Sequence, residues 1–397
     1  TAMEYTPRML RAALTARSAA AAGMVLLKNV QNTLPLTAED GEALPVAVFG
    51  AGQIFTPCCT AAMQPWRKIS ILDGLCASED VKPDGLLSHK YRTWALEHPE
   101  GGEFPLGSLS LEELAGCNRA AIAVIARSPE SRSVTLSEAE HAMLRAVGAA
   151  FSRTVLVLAT PGFVELGDAA MDFGAIVWMG IAGQEAGYAL ADVLTAKAMP
   201  VGRLPFSWPV RADAFDAANA QRDQFVGYRY FDSFGVELRW PFGYGLGYGS
   251  CALGSVGVGL DGTDVTVTAE VENVGKTWPA GEVVQVYISR PDPAGAQPVW
   301  LLDCFARTKL LAPGERETVQ LRFPVTELAS YRESACAFAL EEGYYEIRVG
   351  FHARGTYVAG SLRSMQRAMV QAVTPLHLQS PADARTRDLQ AAFPYPG

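Results

Sequence analysis

Two hydrophobic periods divide this chain. In the first half, short runs are apolar at nearly every position: Pro45–Gly50, Ala120–Ala126, Thr154–Ala159 and Ala175–Met179. Runs of that kind suit strands buried on both faces, as in a parallel sheet lying between layers of helices. Helical spacing separates them. Arg8 to Leu27 carries Leu10, Leu14, Met24 and Leu27 among many alanines, which predicts a helix packed closely through small side chains. Ser137 precedes Glu138 and Glu140, with Met143, Leu144 and Val147 on one face, and this predicts an N-capped helix. Gln184 to Leu194 predicts another, ended before Pro200. Strand and helix in this alternation mean an α/β fold with a mostly parallel sheet.

After Gly249 the period becomes two. Val265, Val267, Ala269 and Val271 alternate with Thr266, Thr268 and Glu270, the mark of a half-buried strand. Val283–Ile288, Thr318–Phe323 and Tyr344–Val349 read as further strands, with turns at Asn273–Gly275, Ala312–Glu315 and Glu341–Gly343. Several short strands in so few residues predict an all-β sandwich. Between the two patterns lies an irregular stretch crowded with Trp208, Phe225, Tyr228, Phe231, Trp240 and Tyr244. Flexible linkers lack such side chains, so this connector is expected to pack along a surface. The expected layout is an α/β domain over 1–212, an aromatic connector over 213–249, a β-sandwich over 250–362, and a tail or linker over 363–397.

Composition narrows the function. The 397 residues suggest two or three domains at about 100–200 residues each. Hydrophobic residues at 49% and charged residues at 19% exclude a disordered chain. A formal charge of −9 argues against nucleic acid or an anionic membrane as partner, since both need a basic footprint. No apolar run reaches the roughly 20 residues of a membrane span, and no secretory signal opens the chain. Thr1-Ala2 ahead of Met3 reads as a short addition to a native start. Seven scattered cysteines form no C-x-x-C pair, and five histidines show no metal-ligand spacing. We therefore expect a reduced, cytoplasmic setting with small buried thiols, and neither a metal nor a cofactor.

Two glycine-rich stretches invite a phosphate-binding reading. Gly50-Ala-Gly52 follows a strand, but Phe55 stands where the third glycine of a dinucleotide fingerprint belongs, and Pro57-Cys58-Cys59 replaces the helix start. A tight loop at the carboxyl end of a strand fits better, and such ends hold ligands in sheets of this kind. Gly243–Gly249 has no strand–helix unit around it and reads as packing against aromatics. No G-x-S-x-G elbow supports a serine nucleophile.

Several segments in series resemble one family. Met24-Val-Leu-Leu-Lys-Asn29 with Leu34-Pro-Leu36, Gly183-Gln-Glu-Ala-Gly187 with Ala191-Asp-Val-Leu194, and Gly202-Arg-Leu-Pro205 are similar to the second domain of glycoside hydrolase family 3. Val226–Asp232 and Pro241–Tyr248 match the connector into that family's fibronectin type III-like domain, and Asn273–Gly275, Glu282–Tyr287 and Leu311–Glu315 match the domain itself. The resemblance spans roughly residues 10 to 352. It implies an α/β sandwich followed by a β-sandwich, in a lineage of retaining β-glycosidases. There a barrel supplies the nucleophilic aspartate, and the second domain supplies an acid/base glutamate and a glycine-rich loop over the sugar. Retaining chemistry places the two carboxyls about 5–5.5 Å apart. A (β/α)₈ barrel of about 250 residues does not fit ahead of motifs that begin near residue 24. It is expected downstream, on another polypeptide, or absent.

Both implied site loops depart from the family pattern. Relatives carry Ser-Gly-Glu followed by Asp-Arg; here Ser128-Pro-Glu-Ser-Arg132 makes Glu130 the matching glutamate, with Pro129 for the glycine and the aspartate missing. Where relatives have a glycine-rich stretch, this chain has Cys58-Cys-Thr-Ala-Ala-Met63, so Cys58, Cys59 and Thr60 take the place of the sugar-binding loop. Its side chains discourage the close backbone approach that glycines permit. The resemblance thus implies a component of a retaining β-glycosidase, β-glucosidase-like, that is incomplete without a barrel. Its ligand would be a neutral glycoside or oligosaccharide. The alternative is a non-catalytic carbohydrate-binding or scaffolding protein on the same frame.

Overall fold

A computed structural model describes residues 6–38, 41–60, 62–63, 65–99, 101–219, 224–292 and 297–373. It forms two compact units. One holds the described residues up to Arg203 together with Gly245–Tyr248; the other holds Leu204–Tyr244 and the described residues from Gly249 onward.

In the first unit the continuous apolar runs become the interior of one sheet. Its strands are β1 (Val25–Asn29), β2 (Leu44–Phe49), β3 (Val81–Pro83), β4 (Ala120–Ala126), β5 (Thr154–Ala159) and β6 (Ala175–Trp178). They lie in the order β1-β6-β5-β4-β2-β3, all parallel except β1, which runs antiparallel to β6 at one edge. Helices α1 (Pro7–Gly23), α2 (Ile71–Cys76), α3 (Gly85–Glu97), α4 (Leu111–Cys117), α5 (Glu138–Ala150), α6 (Asp168–Met171) and α7 (Ala186–Leu194) accompany it. Val46, Ile122, Val157, Val177 and Leu190 share one core. The fold class is α/β with a mostly parallel sheet, as the alternation predicts, and matches the α/β sandwich that the resemblance implies.

The end of α1 corrects the sequence reading. The helix ends at Gly23, and Met24–Leu27 are fully buried in or beside β1. Glycine disfavours helix continuation, and burial of four large side chains in the sheet outweighs their helical spacing. Its packed stripe is made of the small side chains, as expected, with Ala13 and Ala21 buried, but Leu10 and Leu14 are exposed. Small side chains bring α1 close to α7, where Arg17 clasps Asp192 at 2.5 and 2.6 Å.

The second unit opens with β7 (Trp208–Pro209), α8 (Ala212–Asn219), α9 (Tyr228–Ser233) and β8 (Leu238–Trp240); Trp208, Phe231 and Phe225, which precedes α9, are buried. Ten strands follow: β9 (Cys251–Asp261), β10 (Asp264–Asn273), β11 (Val283–Ser289), β12 (Leu301–Arg307), β13 (Arg316–Pro324), β14 (Ser330–Arg332), β15 (Ala337–Leu340), β16 (Gly343–Gly350), β17 (Thr356–Ser364) and β18 (Ala368–Ala372). Every named pairing among them is antiparallel, giving sheets β13-β10-β9 and β12-β11-β16-β17 and a small third sheet β14-β15-β18. The alternating valines of β10 are buried against Val284, Val286 and Val349. Asn273 anchors the turn beside them: its Nδ2 donates to Trp278 O at 3.0 Å and Leu311 O at 2.8 Å, and its Oδ1 accepts from Gly275 N at 2.9 Å. β18 is a correction. Residues from 363 read as a tail, yet Ala368–Ala372 pairs with β15. Its side chains are mostly exposed, so no alternation marks it. The tail beyond Val373 lies outside the described residues.

The cysteines also depart from expectation. Only Cys58 is buried; Cys76 and Cys117 are exposed and the other four are half-buried.

The Gly183–Gly187 motif has a packing reason. A Cβ on Gly187 would lie 1.9 Å from Ser70 O, and one on Gly74 would lie 2.1 Å from Gly187 C, so α7 and α2 touch through bare backbone. Gly187→Ala is expected to cost about 3 kcal/mol in urea unfolding of this unit, because backbone rather than a flexible side chain must move. Gly116→Ala, with nothing within 4 Å of its Cβ, is the control and is expected to be neutral or to stabilise by up to about 1 kcal/mol.

Candidate active site

Because β2 and β4 are parallel neighbours, the loops that follow them leave the sheet side by side. Together they enclose a cleft of about 690 Å³ at the carboxyl ends of the strands. Cys58, Cys59 and Lys68 line it from the first loop, and Arg127, Pro129 and Glu130 from the second. Thr60 is exposed and is not among the lining residues. The structure thus brings Glu130, Cys58 and Cys59 to one cleft and leaves Thr60 outside its wall.

The loop after β4 is pinned at both ends. Arg127 reaches Glu140 with two bonds of 2.6 and 2.8 Å and donates to Thr135 O at 2.9 Å. Glu140 accepts from Ser137 N, and Ser137 Oγ accepts from Glu140 N, so the capping box of α5 and the ion pair share one carboxylate. Burial works to raise that carboxyl, but the Arg127 and Ser137 bonds overcome it and hold Glu140 below its ordinary value. Between these ends Ser131 N donates to Ser128 O at 3.0 Å, closing a turn that carries Glu130 in an exposed position.

The loop after β2 starts from Gly50. Its φ is +95°, and a Cβ there would stand 2.2 Å from Val124 O, so the chain can leave the sheet across β4 only at a glycine. This closeness explains Gly50 without any phosphate. Gly50 N donates to Tyr91 Oη at 2.9 Å, and Ala51 N donates to both oxygens of Glu103 at 3.1 and 3.2 Å. Buried Gln53 donates to Val48 O and Gly50 O, tightening the same turn.

Glu103 and Tyr91 are the site residues that sequence reasoning missed. Tyr91 lies on α3 in a span with no strong period, and Glu103 follows two glycines in an irregular stretch. Only the tertiary fold brings them to Gly50 and Ala51. Burial is the main cause that lifts the Glu103 carboxyl to about 7, and the Ala51 and Phe104 N–H groups oppose it. The described residues contain no cluster of three side chains able to hold a metal ion. Nor do they contain a helix long and apolar enough to cross a membrane.

Comparison with known proteins places this geometry in a family. Residues 24–248 match the glycosyl hydrolase family 3 C-terminal domain, and residues 282–353 match the fibronectin type III-like domain. The chain belongs to glycoside hydrolase family 3. A β-glucosidase of Ruminococcus albus is 32% identical over 324 residues, which is 72% of this chain and 34% of that protein. Thermostable β-glucosidase B of Acetivibrio thermocellus is 28% identical over 370 residues, 88% of this chain and 48% of that one. β-Glucosidase 3B of Thermotoga neapolitana, solved with α-D-glucose, superposes with a TM-score of 0.83 at 30% identity, over 92% of this chain and 56% of that chain. This chain therefore spans between about a third and a little over half of these relatives. It holds the family 3 α/β sandwich and the fibronectin type III-like sandwich, and no (β/α)₈ barrel is present among its described residues.

The raised Glu103 carboxyl has a sign that can be measured. The folded state binds a proton between the ordinary value of 4.5 and about 7 that the unfolded chain has released, so this group's contribution to stability falls as pH rises through that window. Glu103→Gln removes the dependence. Between pH 4.5 and 7 the variant is expected to gain on the wild type by up to about 3 kcal/mol in unfolding free energy. A difference that stays flat with pH would show that Glu103 titrates normally.

Proposed function

We propose that this chain is the part of a retaining β-glucosidase that supplies the proton-transferring glutamate, Glu130, and one wall of the sugar site. The nucleophilic aspartate then comes from a barrel outside these residues. The observation that carries the reading is the cleft, which holds Glu130 and the Cys58–Cys59 loop together at the carboxyl ends of adjacent parallel strands in a family 3 chain. A solved relative binds glucose, which supports a neutral sugar as ligand. In the retaining mechanism one carboxyl attacks the anomeric carbon while the other protonates the leaving oxygen, then deprotonates the water that releases the sugar. Glu130 takes the second role. An acid without a nucleophile has no covalent intermediate to form, so this chain by itself leaves the reaction half equipped.

The 397 residues alone are accordingly expected not to turn over an aryl β-glucoside. Combined with the barrel segment of a family 3 relative, they are expected to hydrolyse it. Glu130→Gln should then lower kcat by about 10²- to 10⁴-fold. Hydrolysis by the isolated wild type that vanishes in Glu130→Gln would place both carboxyls within this chain. No activity with any barrel, alongside measurable glucose binding, would mark a carbohydrate-binding protein on the family 3 frame.

A further inference from the structure

The loop after β2 brings two thiols together. Cys58 Sγ and Cys59 Sγ lie 3.5 Å apart, within sulfur hydrogen-bond reach, and Cys59 Sγ donates to Met63 O at 3.5 Å. Successive side chains diverge in a strand and do not face each other in a helix. Here the backbone is irregular, and both sulfurs turn to the same place. Both residues line the cleft; Cys58 is buried and Cys59 is half-buried. Lys68 lines the same cleft, and its charge favours a thiolate on Cys58 against the larger opposing effect of burial. Nothing in the proposed glycosidase chemistry uses a thiol.

We propose that Cys58–Cys59 is a site of reversible thiol–disulfide exchange, taking low-molecular-weight disulfides such as oxidised glutathione. Cys59, the more accessible sulfur, loses its proton to solvent and attacks one sulfur of the incoming disulfide. That S–S bond breaks, a bond forms to Cys59, and one small thiol leaves with a proton from solvent. Cys58 then loses its proton and attacks the Cys59 sulfur; the mixed disulfide breaks and the second small thiol leaves. The protein gives up two electrons and two protons, and the reagent becomes two thiols. Burial keeps Cys58 mostly protonated, but it attacks a sulfur held beside it, so proximity offsets its low thiolate fraction. The ring it closes is strained. Adjacent Cα atoms are about 3.8 Å apart across a trans peptide, below the roughly 4.4–6.8 Å of relaxed disulfides, and a strained disulfide is readily reduced again. Closure draws the sulfurs from 3.5 Å to about 2.05 Å and so reshapes the wall of the cleft that holds Glu130. The site does not depend on that cleft's being a glycosidase site, since its readout is the state of the thiols.

The test uses the full chain under native conditions, with a dose of oxidised glutathione that modifies the exposed Cys76. Remaining thiols are then alkylated with N-ethylmaleimide, and the protein is digested with trypsin. The peptide Asn29–Arg67 holds Cys58 and Cys59 and no other cysteine. Most of it is expected to be two hydrogen masses lighter than the dithiol form, unalkylated and free of glutathione. Dithiothreitol followed by N-ethylmaleimide should return it to the doubly alkylated form. In Cys58→Ser, Cys59 should keep its glutathione, because no second thiol displaces it. A wild-type peptide that is doubly alkylated while Cys76 has reacted, or that keeps glutathione on one cysteine and maleimide on the other, would overturn the proposal. So would a Cys59 that resists glutathione in Cys58→Ser.

Discussion

The cleft exists because β2 leaves the sheet where its backbone touches β4. At Gly50 the space for a Cβ is already filled by Val124 O, so the chain turns away at positive φ, and everything downstream takes its direction from that turn. The turn is then locked from outside. Tyr91, fully buried on α3, receives Gly50 N, and Glu103 receives Ala51 N. Gln53 closes it from within. These bonds satisfy N–H groups that would otherwise be stranded where the strand ladder stops. The thiol pair a few residues later is placed by this chain of constraints rather than by regular structure.

The neighbouring loop is held by a different device. Arg127 stands at the exit of β4 and spans the loop to Glu140 on α5, so a charge pair takes the place of close backbone packing. Both partners are largely buried, with side chains 13% and 11% exposed. Burying two charges is costly unless their geometry is good and their remaining bonding capacity is used. Here the fork is two-pronged, Arg127 also serves Thr135 O, and Glu140 also caps its helix. The loop is therefore held at its ends and exposed at its tip, where Glu130 stands.

What the sequence made legible follows from how much each feature depends on its own neighbours. The buried strands of the first unit and β10 of the second are readable because burial on two faces or one face writes itself directly into the apolar pattern. The α5 cap is readable because the capping box is a local bond between Ser137 and Glu140. Helix α1 runs too long in that reading because Met24 and Leu27 continue a helical spacing that the sheet overrides. The exposed strand β18 carries no period because nothing covers it. Glu130, Cys58 and Cys59 are suggested by family resemblance at fixed positions, whereas Tyr91 acts on Gly50 and Glu103 on Ala51 across 41 and 52 residues of sequence. No local pattern records such a contact.

The three carboxyls lining the cleft are not equivalent, and on the proposed function their environments bear on which one suits proton transfer. Glu140 is kept ionised by Arg127, so it has no proton to give near neutral pH. Glu103 holds its proton up to about 7, a useful value for a general acid, but its oxygens are engaged by Ala51 N and Phe104 N within the wall. Moving it toward a ligand would release the Gly50 turn and with it the loop that shapes the cleft. Glu130 lies on the exposed tip of a loop whose ends are fixed, and on the proposed function it is the carboxyl set to meet a ligand. On the proposed function, a covering barrel would bring the nucleophile to this exposed tip, so one domain contact would complete the pair of carboxyls that retaining hydrolysis requires.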